Sequence, residues 1–445
     1  MALPSLQQPR NNALSKVSIF RRLTPPTTLI PSWACSTKPN NTLSPVSSKF
    51  PSFLRCSTKP DTSANSETQH NEPNSISNFQ NDPEPDSSSE AFSSPQPSQK
   101  PPPCSSSRGL VFDLGPSNSW DGADVGSPVV KRFLSDEEER WYMWYHGRAK
   151  GHPSCDLIGL AISSNGVHWE RGGGPARSSS DVGFVMSCGK DWWGFDTGGI
   201  RPSEMVIMSS SRVRASSAVY WLYYTGYGSE RSLPGLAISQ DGRHWARIEG
   251  EHHSGALIDV GGEKEWDSLF ISSPQVVYHG NGDLRMYYHS FDVEKGHFGV
   301  GIARSRDGIR WVKLGKIMGG GKAGSFDEFG AMNACVIRNR KGGNYVMVYE
   351  GVAADGRRSI GVAVSPDGLK EWLRLQDEAV LKPSELGCWD DKDVGSPCLV
   401  EMDTEGNEWR LYYRGVGNGG RFGIGMAVSE GRDIGRFRRW TGFHV

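Results

Sequence analysis

The sequence predicts an all-β fold, a five-bladed β-propeller with four antiparallel strands in each blade, over residues 108–445. Three observations lead to this prediction. The composition, with 15 Trp and 54 Gly among 445 residues, favours short aromatic strands broken by turns over helices. A pattern of strands and turns recurs five times after residue 108. The recurrence continues to the end of the chain, which argues against two unrelated domains.

Each repeat opens with an aromatic residue followed by Asp. These pairs are Trp120-Asp121, Phe195-Asp196, Trp266-Asp267, Phe326-Asp327 and Trp389-Asp390. A short apolar strand follows, as in "SPVV", then an aromatic strand such as "WYMWYHG", then a third strand such as "IGLAIS". In four repeats an Asn-Gly or Asp-Gly turn comes next, which supplies the positive φ angles of a tight hairpin. A Trp follows each of these turns, and we expect it to start the fourth strand.

The stretch "DVGSP" occurs twice, at Asp124–Pro128 and at Asp393–Pro397, where it opens the first and the fifth repeat. The first and last blades of a closed ring are neighbours. We therefore expect the two copies to lie side by side in space. The lead-in "GLVFDLG" (Gly109–Gly115) also resembles "GALIDVG" (Gly255–Gly261), which places the start of the propeller near residue 108.

The residues before the repeats have a different composition. Residues 1–60 contain eight Lys or Arg, no Asp or Glu, and many Ser, Thr and Pro, which is typical of a plastid transit peptide. Residues 61–107 are polar, Ser- and Pro-rich and almost without aromatic residues, which predicts a disordered linker. The expected location is the chloroplast stroma.

The overall charge and the cysteines exclude several classes of function. A formal net charge of −1 gives no electrostatic attraction to nucleic acid or to an anionic membrane. No apolar run approaches the roughly 20 residues that a membrane-spanning helix needs. The eight cysteines form no C-x-x-C pair, so the sequence indicates neither a zinc site nor any other cofactor. We interpret the cysteines as scattered buried thiols in a reducing compartment.

In a propeller, residues that recur in every blade are expected to be structural, and residues that differ at matched positions are candidates for function. The five aromatic-Asp pairs recur, so we interpret their carboxylates as structural. Four residues before the Pro of the first strand, only the first and fifth repeats carry an acid, Asp124 and Asp393. The residue after the aromatic strand also varies: His146, Thr225, His289, Glu350 and Arg414.

These two variable positions are expected to meet at one mouth of the central channel. The inner strand begins at the face where its antiparallel partner ends. Titratable side chains concentrated in a concave place indicate a site for acid–base chemistry, although a solvated, salt-bridged rim would have the same composition. If Asp124 and Asp393 are close, one pKa should rise unless Arg414 lies between them. Arg201 and Glu204, at the matched strand of the second repeat, are further candidates for substrate contact.

The five repeats together resemble the arabinanase, levansucrase and invertase superfamily, which includes glycoside hydrolase family 43. The resemblance covers residues 108–445 and implies three acids at the channel: a base or nucleophile on the first blade, a second Asp that tunes or orients, and a Glu acid. Those roles fall on Asp124, Asp393 and Glu350. Asp124 stands four residues before its Pro, and "RPS" at Arg201–Ser203 lacks the Asp that the family often shows there.

The leading hypothesis is a glycoside hydrolase-like enzyme acting on an oligosaccharide or glycoconjugate. Asp124, Glu350 and Asp393 are the candidate catalytic residues. The candidate substrate-binding residues are His146, Arg201, Glu204, His289 and Arg414. The alternative is a non-catalytic propeller that binds a glycan or a plastid protein partner, because the fold does not determine the function. A transferase or phosphorylase on the same scaffold would need an anion site, for which Arg201 and Arg414 are the candidates.

Overall fold

The computed structural model describes residues 107–134, 138–151, 155–172, 181–208, 219–280, 282–339, 342–402 and 408–442. The predicted transit peptide and nearly all of the predicted linker lie outside these residues. The described part of the chain is all-β, with 22 strands and no α-helix. It therefore contains no helix that is long and apolar enough to cross a membrane.

The strands form five antiparallel sheets, each one blade of a five-bladed propeller, as predicted. Strand β1 (Leu110–Asp113) precedes blade 1, which contains β2 (Asp124–Leu134), β3 (Glu139–Arg148), β4 (Leu157–Ser163), β5 (Glu170–Arg171) and β6 (Phe184–Met186). Blade 2 contains β7 (Gly199–Met208), β8 (Val219–Tyr227), β9 (Ser232–Ser239) and β10 (Ala246–Ile248). Blade 3 contains β11 (Ser272–Gly280), β12 (Asp283–Asp292), β13 (His297–Ser305) and β14 (Val312–Met318). Blade 4 contains β15 (Ala331–Arg338), β16 (Tyr345–Val352), β17 (Arg358–Ser365) and β18 (Leu373–Arg374), and blade 5 contains β19 (Asp393–Glu401), β20 (Trp409–Val416), β21 (Phe422–Glu430) and β22 (Asp433–Arg439).

The ring closes between its two ends. Strand β1 pairs with β21, so the start of the described chain completes the last blade beside β22. The inner strands β2, β7, β11, β15 and β19 contact one another in that order, and β19 contacts β2. The two "DVGSP" copies therefore begin neighbouring inner strands, which confirms that distant segments of sequence meet in space. The face where the inner strands begin is called the upper mouth below.

The hydrophobic core is divided among the blade interfaces. Five clusters of buried apolar side chains each combine residues of two adjacent blades. Aromatic side chains also donate hydrogen bonds to the hairpin turn of the next blade. The indole N–H or the phenol O–H donates to a backbone carbonyl of the turn at 2.6–3.0 Å in the pairs Trp144–Gly242, Tyr223–Gly308, Tyr287–Gly368 and Tyr412–Gly166. The recurrent geometry of these turns is thus part of the contact between blades.

The five aromatic-Asp pairs are structural, as their recurrence predicts. Each Asp is at most 3% exposed and accepts a hydrogen bond from a Tyr hydroxyl of its own blade at 2.9–3.0 Å. A basic side chain near the fourth strand then neutralises the carboxylate. The partners are Asp121–Tyr145–Arg171, Asp196–Tyr224–Arg247, Asp267–Tyr288–Lys313, Asp327–Tyr349–Arg374 and Asp390–Tyr413–Arg439. These carboxylates join the strands of a blade and take no part in the channel.

Candidate functional site

A cavity of about 310 Å³ opens at the upper mouth of the channel and is lined by all five blades. This volume is within the range of small-molecule sites. The charged and aromatic side chains that line it are Arg201, Tyr227, Phe270, His289, Phe298, Glu350, Arg358, Asp393 and Arg414. The cavity therefore brings together five of the eight side chains that the sequence predicted, and it adds Arg358.

Local backbone geometry shapes the rim of this cavity. Ser127, Ser273, Asn333 and Ser396 lie at matched positions of four inner strands, with φ between 45° and 53°. Each sits at a β-bulge that interrupts pairing with the second strand. Residues other than Gly rarely adopt a positive φ angle, and residues with such a strained backbone cluster at functional sites. All four line the cavity.

Asp124 lies beneath the cavity and is only 4% exposed. Arg414 donates from Nη2 to both of its carboxylate oxygens at 2.9 and 3.0 Å, and Arg148 donates to Oδ2 at 2.8 Å. His146 Nε2 lies 3.7 Å from the same carboxylate. Burial acts to raise the pKa of Asp124, but His146 and Arg414 outweigh it and hold this pKa well below its usual range. The pKa does not rise, because a guanidinium neutralises Asp124.

The charge on Asp124 is balanced by guanidinium groups more than by imidazole. His146 is completely buried, and burial together with the charge of Arg201 lowers its pKa from the usual 6.5. Its ring is therefore mostly neutral at pH 7. Gly126 allows this packing, because a Cβ there would lie 2.3 Å from Arg414 Cδ. Asp124, His146 and Arg414 thus form one compact cluster, of which Arg414 lines the cavity, whereas Asp124 and His146, which we also expected at the mouth, are buried behind it.

Glu350 is 2% exposed and its carboxylate is held by three donors. Oε2 accepts hydrogen bonds from Asn333 Nδ2 at 2.7 Å and from the backbone N–H of Ser396 at 2.8 Å, and Oε1 accepts one from Arg358 Nη1 at 3.0 Å. Gly395 covers it closely, because a Cβ at Gly395 would lie 2.2 Å from Oε2. Glu350 borders the cavity as a fixed, fully hydrogen-bonded carboxylate.

Asp393 differs from these two acids in being half-buried at the cavity wall. Its Oδ1 accepts a hydrogen bond from the backbone N–H of Arg358 at 3.0 Å. It makes no ion pair within the described residues. Because the Arg358 side chain also binds Glu350, one residue of β17 connects the carboxylates of blades 4 and 5. Asp393 is the predicted acid whose carboxylate has most room for a ligand.

His289 is 5% exposed and packs edge-on to Phe270 and Phe298, with ring centroids 5.8 and 6.5 Å away. Burial and the nearby charge of Arg358 lower its pKa to about 3, so the ring is neutral at pH 7. The backbone N–H of Asn333 donates to its Nδ1 at 3.4 Å. His289 therefore contributes a polar but uncharged surface to the cavity.

Glu204 lies deeper, in a narrower part of the channel that Cys335 and Cys398 also line. Its carboxylate forms an ion pair with Lys131 and accepts a hydrogen bond from Gln275 Nε2 at 2.8 Å. The pairing of β7 with β8 shifts between Pro202 and Glu204, so a bulge directly precedes Glu204, and Glu204 lines the channel. The structure does not place it in the upper cavity with the other candidates.

Arg201 is positioned by Asp156, a residue that the sequence analysis did not select. Asp156 accepts hydrogen bonds from Arg201 Nε at 2.6 Å and from Arg148 Nε at 2.7 Å, and Arg148 in turn binds Asp124. Asp156 and Arg358 occupy matched positions at or directly before the start of the third strand of their blades. His146 pairs with Ile158, two residues after Asp156, and Glu350 pairs with Ile360, two residues after Arg358. Comparison of this position across the five repeats, in addition to the two compared above, would have identified both residues.

No group of three His, Cys, Asp or Glu side chains in the described ranges is arranged to hold a metal ion. The described residues that line the cavity offer carboxylates, guanidinium groups, hydroxyls and aromatic faces.

The sequence matches no family model and no curated protein. The fold, in contrast, is similar to that of many solved structures. One is described as a glycoside hydrolase, with 18% identity and a TM-score of 0.53 over 74% of this chain and 94% of that one. Another is an N-acetylgalactosamine deacetylase from F. plautii in complex with blood group B trisaccharide, with 16% identity and a TM-score of 0.52 over 72% and 94% of the two chains. At this identity the similarity shows a shared propeller fold.

Proposed function

We propose that this protein binds a glycan at the upper mouth and hydrolyses a glycosidic bond there. The observation that carries the proposal is the connection of two carboxylates from adjacent blades, Asp393 and Glu350, through Arg358 at the wall of one cavity. Most glycosidases use a pair of carboxyl groups on either side of the scissile bond. The similar fold of a structure described as a glycoside hydrolase is consistent with this proposal.

The remainder of the lining suits a sugar. Tyr227, Phe270 and Phe298 present aromatic surface, which packs against the apolar face of a pyranose or furanose ring. Ser127, Ser396 and their matched residues present side-chain oxygens to sugar hydroxyls. In small-molecule sites, a few polar groups among apolar and aromatic side chains fix the orientation of the ligand.

In this proposal Asp393 is the base or nucleophile, because its carboxylate makes one hydrogen bond and borders the cavity. Glu350 is the partner acid. To protonate a leaving group its carboxylate must first take up a proton from solvent, and it must exchange the guanidinium of Arg358 for the glycosidic oxygen. Asp124, which the sequence suggested as base, acts as a positioning residue, since its ion pairs with Arg148 and Arg414 fix Arg414 against the cavity.

A second candidate function is glycan binding without hydrolysis. The observation that favours it is that three donors hold the Glu350 carboxylate, which leaves Asp393 as the more accessible of the two acids that line the cavity in the described part of the chain. A binding site needs no second carboxylate, so it is compatible with the geometry as it stands.

The experiment uses the full chain as wild type and as Asp393→Asn and Glu350→Gln. Asp377→Asn is the control, because Asp377 is an exposed acid outside the cavity. Each protein is incubated with a panel of plant oligosaccharides and aryl glycosides, and the products are identified by mass spectrometry. Hydrolysis by wild type and control, with a loss of at least about 100-fold in both site variants, would support the enzyme. Binding without turnover would support the second candidate.

If turnover is found, the anomeric configuration of the first product distinguishes the two mechanisms. Retention requires carboxyl groups about 5–5.5 Å apart, and inversion requires about 6.5–9.5 Å. Membership of glycoside hydrolase family 43 and a location in the chloroplast stroma are further parts of this proposal. Fusion of residues 1–107 to a fluorescent protein would test the location, since the composition of residues 1–60 predicts import into the plastid.

A further inference from the structure

Three guanidinium groups from three blades line the cavity at the upper mouth: Arg201, Arg358 and Arg414. Each is held from behind by a buried carboxylate. The pairs are Arg201 with Asp156 at 2.6 Å, Arg358 with Glu350 at 3.0 Å and Arg414 with Asp124 at 2.9 Å. This arrangement fixes the guanidinium positions before any ligand arrives, which reduces the entropy lost on binding.

The accessible charge of the cavity wall is mainly positive. The side chains of Arg201, Arg358 and Arg414 are 32%, 43% and 19% exposed. Their carboxylate partners are only 10%, 2% and 5% exposed, in the same order. A ligand in the cavity therefore meets guanidinium N–H groups, while the balancing negative charge lies behind them.

The other titratable groups of the wall do not cancel this charge. His289 is neutral at pH 7, because its pKa is lowered to about 3. Asp393 is the one further acid in the lining with substantial exposure among the described residues. Each guanidinium has five N–H donors, and its carboxylate uses only one or two of them. The remaining donors of Arg201 and Arg358 and the Nη1 group of Arg414 suit the oxygens of a carboxylate or a phosphate, whereas Arg414 Nε is buried without a hydrogen-bond partner among the described residues.

We propose that the glycan recognised at this site is anionic, with a carboxylate or phosphate group that binds to Arg201, Arg358 and Arg414. The proposal rests on the proposed glycan site and narrows its ligand class from sugars in general to acidic sugars. Arg358 has the most exposed side chain of the three and connects Glu350 with Asp393, so the anionic group lies next to the proposed reacting carboxylates.

The test measures binding by isothermal titration calorimetry, with the full chain and two pairs of probes. The first pair is trigalacturonic acid and its methyl ester, which differ in carboxylate charge. The second pair is galactose 6-phosphate and galactose, which differ in the phosphate. We expect the charged member of one pair to bind at least about tenfold more tightly, a difference of about 1.4 kcal/mol. The pair that shows the preference identifies the anionic group.

Arg201→Gln and Arg358→Gln are the test variants, because each leaves its carboxylate at least one other donor. Arg306→Gln is the control, since Arg306 is exposed in the hairpin turn at the opposite face of the ring. Each test variant should lose most of the preference for the charged probe, and the control should keep it. In wild type the preference should also fall as NaCl is raised from 50 to 500 mM, because salt screens exposed charges.

Equal binding of charged and neutral probes in both pairs would overturn the inference and leave the proposed glycan site intact. A preference that survives in both arginine variants would also overturn it, because the charge would then be recognised elsewhere. Failure of every probe to bind, in a protein that still hydrolyses a neutral glycan, would refute the anionic ligand alone. Failure of both binding and hydrolysis would refute the proposed function as well.

Discussion

Replacement of Asp124 by Asn should destabilise the protein substantially, although the two side chains have nearly the same shape. The wild-type carboxylate is 4% exposed and neutralises Arg148 and Arg414. The amide has no charge, so Arg414 loses its ion-pair partner, Arg148 keeps its ion pair with Asp156, and the NH₂ group adds a donor where acceptors are needed. The variant tests whether the ion pairs of Asp124 with Arg148 and Arg414 stabilise the fold at the upper mouth.

The size of the effect follows from burial. Removal of one member of a buried ion pair typically costs 3–5 kcal/mol, because the other charge is left without compensation. The Arg148 and Arg414 side chains are 26% and 19% exposed, so water relieves part of that cost. We expect a loss of about 2–3 kcal/mol at pH 7. For a domain of this size that corresponds to a fall in Tm of roughly 3–4 °C.

The pH dependence gives a sharper test. The pKa of Asp124 is lowered in the folded protein, so its stabilising effect is complete above the pKa of an unfolded Asp, about 3.9. The effect decreases as the pH falls below that value toward the folded pKa. Asn does not titrate. The stability difference between wild type and variant should therefore be constant between pH 5 and 7 and shrink by about 1.4 kcal/mol per pH unit below pH 4.

The assay is urea denaturation of the full chain at several pH values, followed by tryptophan fluorescence. Asp393→Asn is the matched control, because Asp393 starts the equivalent strand of blade 5 and makes one hydrogen bond and no ion pair within the described residues. It should cost about 1 kcal/mol or less. A variant at Asp124 as stable as wild type, or a difference that stays constant down to pH 3, would falsify the structural role assigned to Asp124.

Three further changes test other parts of the ring. Gly395→Ala places a Cβ 2.2 Å from Glu350 Oε2 and should cost about 1–3 kcal/mol in urea denaturation; an unchanged midpoint would contradict the close packing. Tyr349→Phe removes a buried hydrogen bond to a carboxylate and should cost about 1.5 kcal/mol by the same assay, with no effect on sugar binding. Cys155 and Cys188, whose Sγ atoms are 2.9 Å apart, should form a disulfide when diamide accepts two electrons and two protons from them. Non-reducing peptide mapping detects the crosslink, and recovery of only separate thiol peptides would count against the pairing.

The fold could be predicted from the sequence because the same strand and turn signals occur five times. One unit alone, such as "IGLAIS" followed by Asn-Gly, would indicate only a hairpin. Five units in series indicate a closed ring, since each blade needs a neighbour to bury its aromatic residues. The position of the two "DVGSP" copies followed from closure, and contacts between β2 and β19 confirm it.

The pairing of charges at the site could be predicted only in part. Arg414 and Asp124 belong to neighbouring blades, so their approach follows from closure of the ring. Arg148 binds two acids, Asp124 and Asp156, and which acids it reaches depends on its side-chain rotamer. Sequence repeats determine where a strand lies, but they do not determine the direction in which a long guanidinium side chain extends.

The criterion that unrepeated residues are functional also has a physical limit. Thr225, His289 and Glu350 differ completely in chemistry, yet each accepts a hydrogen bond from the backbone N–H of the positive-φ residue in the next blade, at 2.8, 3.4 and 2.8 Å. A hydroxyl, an imidazole and a carboxylate thus perform one repeated structural task, because any acceptor satisfies a buried N–H. Atoms beyond this task remain on Asp393, on the guanidinium groups at the cavity wall and on Glu350, whose Oε1 binds Arg358. Function at this mouth should therefore be sought first in those residues.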